Sequence, residues 1–136
     1  MNYKTVELSR WSRGDLFQYY INSMRIVMSL TADVDVTGLL SFSKDRRLKF
    51  YPVMIWAVSK IVNAHDEFKY GWDAAGNLIK WDLVSPSYTD FHAQDERFTK
   101  LLTPYSDDLP EFHARFMADR EKYQDCRAFV KNQPSN

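Results

Sequence analysis

Residues 50–65, FYPVMIWAVSKIVNAH, constrain the fold more than any other stretch of this chain. Pro52 suits the first turn of a helix, where its missing N–H would have no partner in any case. From Val53 to Val62 nearly every position is apolar, so a helix here has almost no polar face. Because a helix that is apolar nearly all round belongs in an interior, the stretch predicts a buried central helix.

The first third of the chain predicts a mixture of helices and strands. Residues 5–8 are consistent with a short strand, and apolar spacing after Ser12 predicts a helix that Ser12 caps. Apolar residues then alternate from Ile26 to Val34, which is typical of an extended strand. Asp35 can cap the short helix that follows.

The second half predicts a hairpin, a strand and a final helix. Residues 68–84 contain two strand-like runs around a turn at Gly76. Residues 87–92 predict a further strand. Residues 107–108 begin the last helix, with Pro110 in its first turn.

Composition narrows the class of protein. A chain of 136 residues with 45% hydrophobic and 15% aromatic residues fits one globular domain, residues 1–136. Equal numbers of basic and acidic residues, 18 each, argue against a nucleic-acid or anionic-membrane surface. Cys126, the only cysteine, excludes an internal disulfide or a thiolate zinc site. Without a signal peptide or an apolar run of roughly 18 residues, we expect a cytoplasmic protein.

Several stretches, taken in order, resemble the N-terminal portion of the trimeric, type A chloramphenicol acetyltransferases. The resemblance runs from about Tyr3 to about Phe129. Each motif alone is weak, but the ordered set is specific. The stretches are RWSRGDLFQYY, KFYPVMIW, VNAHDEF, NLIKWDLVSPSYTDFHAQDERF and PYSDDLPEF.

The resemblance implies an α/β two-layer sandwich in a homotrimer that moves an acetyl group from acetyl-CoA to an antibiotic hydroxyl. In that family the general base is a histidine of a C-terminal HHxxxDG motif, and a serine of the second half binds the oxyanion. This sequence contains no HxxxD. We therefore expect an incomplete fold that lacks the C-terminal portion, is inactive alone and binds no acetyl-CoA by itself.

The resemblance also implies which residues bind the acceptor, a small aromatic alcohol such as chloramphenicol. The family has a cysteine where this chain has Ile26 and an aromatic residue where it has Met28. Methionine gives a softer wall than an aromatic ring, which argues for a changed acceptor. The implied acceptor-binding residues are Tyr19, Tyr20, Met24, Ile26, Met28 and Phe98.

Arg13 matches a family arginine that pairs with the aspartate of HHxxxDG and so braces the base. The alternative for Arg13 is an exposed arginine at the start of a helix.

His92 is the tempting base within this chain, because Asp95 and Glu96 follow it closely. The matching family histidine belongs to the body of the fold, so we expect a hydrogen-bonded structural role instead. We expect His65 to close the central helix and His113 to be solvated. No catalytic residue and no metal ligand is assigned.

Two functions remain open. The chain supplies the acceptor-binding part of an acetyl-CoA-dependent O-acetyltransferase, or it is a shortened, non-catalytic relative that binds a small aromatic ligand or acts as an oligomerisation module. Fold alone does not separate them.

Overall fold

The predicted central helix spans Phe50–Ala64 (α3) in the computed structural model, which describes residues 2–24 and 26–129. Single 3₁₀ turns lie at Leu8–Arg10 and Asp66–Lys69, and a π-helical turn, Tyr20–Met24, continues α1. The other elements are β1 (Tyr3–Thr5), α1 (Gly14–Tyr19), α2 (Thr37–Asp45), β2 (Tyr70–Trp72), β3 (Leu78–Trp81), β4 (Ser87–His92), β5 (Arg97–Leu102) and α4 (Leu109–Tyr123).

An antiparallel sheet is formed by β1, β2 and β3, with β3 in the centre. The predicted hairpin is confirmed. Its turn places Gly76 at φ +81°, where a side chain is disfavoured, and the Asp73 carboxylate accepts two backbone N–H groups of the turn. The first strand was placed wrongly at residues 5–8, since Tyr3 pairs with Trp81 and packs edge-on against its ring.

A second antiparallel pair, β4–β5, forms a separate two-stranded sheet. The sequence predicts only β4, whose buried residues are Tyr88, Asp90 and His92. In β5 the buried positions are Thr99 and Leu101. Because threonine is not apolar, hydropathy alternation does not reveal this strand.

The main core lies between the buried face of β4–β5 and α4. Phe112 and Phe116 of α4 and Leu101 of β5 are fully buried. The Tyr88 ring stacks on Phe116, with centroids 4.3 Å apart. Partly buried side chains of α3, including Ile55, complete this cluster. Helices α3 and α4 thus cover one face of the β4–β5 pair, as a two-layer arrangement requires.

One predicted helix cap is confirmed, and the other is displaced by one residue. The Asp108 carboxylate accepts the Glu111 N–H at 2.8 Å, with Pro110 in the first turn of α4. Val36, not Asp35, occupies the N-cap position of α2, although the Asp35 carboxylate accepts the Thr37 N–H at 2.9 Å. Both contacts satisfy a backbone donor that has no partner within its helix.

The predicted Ser12 cap is wrong. Arg13 occupies the N-cap position of α1, and no side chain caps the helix there. Gly14 instead lies against the 3₁₀ turn, where a Cβ would sit 2.0 Å from the Leu8 carbonyl oxygen. The start of α1 is therefore set by close backbone packing that only glycine permits.

The prediction that α3 is buried all round is wrong for one of its faces. Pro52, Val53 and Ser59 are buried, but Val58 is exposed and Ile61 is 60% exposed. Within the described ranges, α2 and α4 pack on α3, and they leave this apolar face uncovered.

The predicted strand from Ile26 to Val34 is also not formed. Residues 26–36 belong to no helix or strand, and Val27 is 93% exposed. Alternation indicates that a segment can form a strand, but a strand needs a ladder partner. Among residues 2–24 and 26–129, no strand pairs with this segment.

Replacing Phe116 with alanine should destabilise the protein by about 3–5 kcal/mol, because it opens a cavity in the fully buried core. Phe116→Leu should cost less, about 1.5 kcal/mol at most. Urea unfolding followed by circular dichroism measures both losses. The matched control is Phe91→Ala on the solvent face of β4, where we expect a loss below about 1 kcal/mol. Equal losses for Phe116→Ala and Phe91→Ala would contradict the core described here.

Candidate functional site

Three of the implied acceptor-binding residues lie where α1 joins the π-helical turn. Tyr19 ends α1, Tyr20 begins the turn and Met24 ends it. The two tyrosine rings make an edge contact, with centroids 6.1 Å apart. All three side chains are exposed. Since π-helical turns occur frequently at functional sites, this junction is a candidate binding surface.

Ile26 and Met28 follow this turn in the segment that forms no strand. Met28 is 86% exposed and Ile26 is also exposed. A side chain this exposed touches little and cannot by itself shape a wall. These two residues need further polypeptide against them before they enclose an acceptor.

Phe98, the sixth implied residue, lies on the solvent face of β5. Its cross-strand partner is Phe91, which is 61% exposed, and its ring lies 5.5 Å from that of Phe129. Lys100 occupies the next position on the same face and donates its backbone N–H to the Phe129 carbonyl at 2.9 Å. We call the surface formed by Phe91, Phe98, Lys100 and Phe129 the outer aromatic face. Sequence reasoning found only Phe98, because Phe91 and Lys100 require the β4–β5 register and Phe129 joins through a tertiary contact.

The ring contacts divide the implied acceptor-binding aromatic residues into two groups. Tyr19 and Tyr20 contact each other, whereas Phe98 contacts Phe129. Arg13, the implied brace, is exposed and forms no ion pair within residues 2–24 and 26–129. Its role stays a prediction, as do the roles of the acceptor-binding residues.

His92 lies on the buried face of β4, with both ring nitrogens engaged. The Thr99 hydroxyl donates to the Cys126 carbonyl at 2.8 Å, so it must accept from His92 Nε2–H at 3.1 Å. Arg127 then donates to the bare Nδ1 at 3.4 Å. This pattern specifies one neutral tautomer. Neither ring nitrogen of His92 is therefore free to take the proton of an acceptor hydroxyl. This agrees with the hydrogen-bonded structural role that we expect for His92.

The other polar groups on the buried face of β4–β5 are also paired. Burial raises the pKa of the Tyr88 hydroxyl. Because Thr103 donates to the Asp119 carboxylate at 2.6 Å, Tyr88 donates to the Thr103 oxygen at 2.8 Å. Asp90 pairs with Arg120 at 2.6 Å. These contacts hold the β4–β5 pair against α4.

An open cleft of about 570 Å³ lies beside His92, between the end of β4 and the C-terminal end of α4. Its two arginines are both used, since Arg120 pairs with Asp90 and Arg127 pairs with Asp95 at 2.5 Å. Among the described residues that line the cleft, both arginines are therefore ion-paired.

His113 is not simply solvated, contrary to the prediction. Its Nε2 accepts the backbone N–H of Lys49 at 3.1 Å, at the N-cap of α3. Burial lowers the pKa of His113 below its ordinary value. The neutral ring therefore ties α4 to the start of α3.

Asp95, Glu96 and Cys126 are assigned no catalytic role. Asp95 is held by Arg127, and Glu96 occupies the tight turn between β4 and β5 at φ +54°. Cys126 is a free thiol. In the part of the chain that the structure describes, no group of three His, Cys, Asp or Glu residues could hold a metal ion.

Comparison with known proteins identifies the family. The family model named chloramphenicol acetyltransferase matches residues 1–136, so the chain belongs to the chloramphenicol acetyltransferase family, and the resemblance predicted from the sequence is confirmed. The relative from Clostridium perfringens, named chloramphenicol acetyltransferase, is 35% identical over 138 residues, which cover 100% of this chain and 63% of that protein. Chloramphenicol acetyltransferase 3 of Escherichia coli is 36% identical over 124 residues, 91% of this chain and 58% of that protein.

A solved chloramphenicol acetyltransferase structure has the same fold. It superposes with a TM-score of 0.80 and 18% identity, over 96% of this chain and 59% of the solved chain. The predicted partial α/β sandwich is thereby confirmed. The chain spans somewhat less than two thirds of the length of the relatives that it matches. Among the helices that the structure describes, none is long and apolar enough to cross a membrane.

The His113 contact predicts a pH dependence of stability. Because the folded-state pKa lies below the unfolded value of 6.5, the unfolded state takes up the proton first. The stabilisation is thus complete above about pH 6.5 and declines as the pH falls toward the lowered folded value. His113→Gln keeps an acceptor for the Lys49 N–H but cannot titrate, so it should flatten the fall in unfolding free energy between about pH 7 and pH 5.

His65→Gln is the matched control for this measurement, because His65 lies exposed at the other end of α3. It should keep most of the wild-type pH dependence. Urea unfolding at several pH values measures all three proteins. An unchanged slope in His113→Gln would contradict the assigned contact.

Proposed function

We propose that this chain supplies the acceptor-binding part of a chloramphenicol-type O-acetyltransferase that uses acetyl-CoA as donor. The observation that carries the proposal is the exposed aromatic and apolar surface in a member of this family. Tyr20, Met24 and Phe98 all present flat or flexible apolar groups to solvent. Such groups suit a nitrophenyl ring.

The proposed reaction needs a base that these residues do not provide. An alcohol is a weak nucleophile at neutral pH until a positioned base takes its proton. His92 has both nitrogens engaged, His113 accepts a backbone N–H, and His65 lies at the end of α3. We therefore assign the base and the oxyanion donor to polypeptide outside the residues described here. In the complete site the base takes the hydroxyl proton, the alkoxide attacks the thioester carbonyl, and coenzyme A leaves as a thiol.

The exposed apolar side chains support such a division. Val58 and Ile61 of α3 and Val27 of the segment that follows the π-helical turn are exposed. These surfaces suit contact with further polypeptide.

Partners and compartment follow from the same proposal. We propose a small aromatic alcohol as acceptor, a homotrimer as the assembled form, and the cytoplasm as the compartment. The names of the relatives favour this transferase over the non-catalytic alternative.

Saturating chloramphenicol should stabilise the folded chain, by about 2.7 kcal/mol at a concentration 100 times the Kd. Thermal unfolding with and without the antibiotic measures the shift. Tyr20→Ala should abolish it, because the ring is lost from the proposed wall. Phe68→Ala is the control, since Phe68 is also an exposed aromatic residue, on the 3₁₀ turn after α3. No shift in the wild type, or an equal loss in both variants, would contradict the proposal.

A further inference from the structure

The outer aromatic face contains one cation, Lys100, that has no counterion within residues 2–24 and 26–129. The six outward positions of β4 and β5 include a single charged residue, Lys100. No carboxylate among residues 2–24 and 26–129 pairs with it. The six positions are Ser87, Thr89, Phe91, Phe98, Lys100 and Leu102.

The β4–β5 register places Lys100 next to phenylalanine positions on the same face. Lys100 lies opposite Thr89, so Phe91 is its diagonal neighbour, and Phe98 lies two residues along the same strand. Residues two apart on one strand are about 7 Å apart, within reach of a flexible lysine. A ring that lies on Phe98 therefore brings its substituents close to the Lys100 ammonium.

We propose that Lys100 determines acceptor specificity and selects aromatic alcohols that carry an anionic group, such as a carboxylate, on the ring. This inference rests on the proposed function of the same surface. A neutral ring that covers an ammonium ion replaces its water only with a weak cation–π attraction. A carboxylate replaces that water with a charge-assisted hydrogen bond. Lys100 thus favours the anionic ligand over the neutral one.

A matched pair of ligands tests the inference. The compounds para-nitrobenzyl alcohol and para-(hydroxymethyl)benzoate have nearly the same shape, but only the second is charged. Ligand-observed NMR titration of the chain gives both Kd values. We expect the wild type to bind the carboxylate about three- to fivefold more tightly at low salt, which is the range of a solvent-accessible ion pair. The preference should shrink as salt screens the charges.

Three variants test whether the Lys100 side chain causes the preference for the carboxylate. Lys100→Met should remove it, and Lys100→Arg should keep it. Lys4→Met is the control, because Lys4 is an exposed lysine on β1 in the other sheet. It should leave the preference unchanged.

The outcomes separate this inference from the proposed function. Equal binding of the two compounds, or tighter binding of the nitro compound, would overturn the role of Lys100 and leave the acceptor site standing. Loss of the preference in Lys4→Met as well would also overturn that role. If neither compound binds and chloramphenicol causes no thermal shift, the proposed function and the inference fail together.

Discussion

The contact between α4 and the β4–β5 pair determines which face of that pair is buried and which faces solvent. Phe112 and Phe116 are fully buried against Tyr88 and Leu101. Because side chains of a strand alternate between its faces, burying one set turns the other set outward. The core thereby places Phe98 on the solvent face. The outer aromatic face is the reverse side of this core packing.

The same alternation explains why His92, the most conspicuous histidine, is buried and hydrogen-bonded. His92 falls on the core face, where a polar group must find partners. Thr99 and Arg127 supply them, and the tautomer that results leaves no nitrogen free. A histidine near carboxylates suggests catalysis in a sequence, but here the strand face decides its role.

Sequence patterns predicted the elements whose apolar spacing is strong. The nearly continuous apolar run of α3, the cap at Asp108 and the turn at Gly76 were all predictable because each depends on neighbouring residues. The strand β5 was missed because a threonine, Thr99, fills one of its buried positions.

Other features depend on contacts that are distant in sequence. The bond between Lys49 and His113 joins residues 64 positions apart, so no local pattern reveals it. The segment from Ile26 to Val34 has the alternation of a strand, but no strand among the described residues pairs with it. The family resemblance placed Tyr20 and Phe98 in a candidate site. Recognising Lys100 required the register of β4 with β5.

The central claim is that this chain carries an acceptor surface without the base that completes it. The most direct test is thiol release from acetyl-CoA in the presence of chloramphenicol, with the purified chain as the only protein. The account predicts no release above the rate without protein. Turnover by the chain, and above all turnover that disappears in His92→Ala, would contradict it.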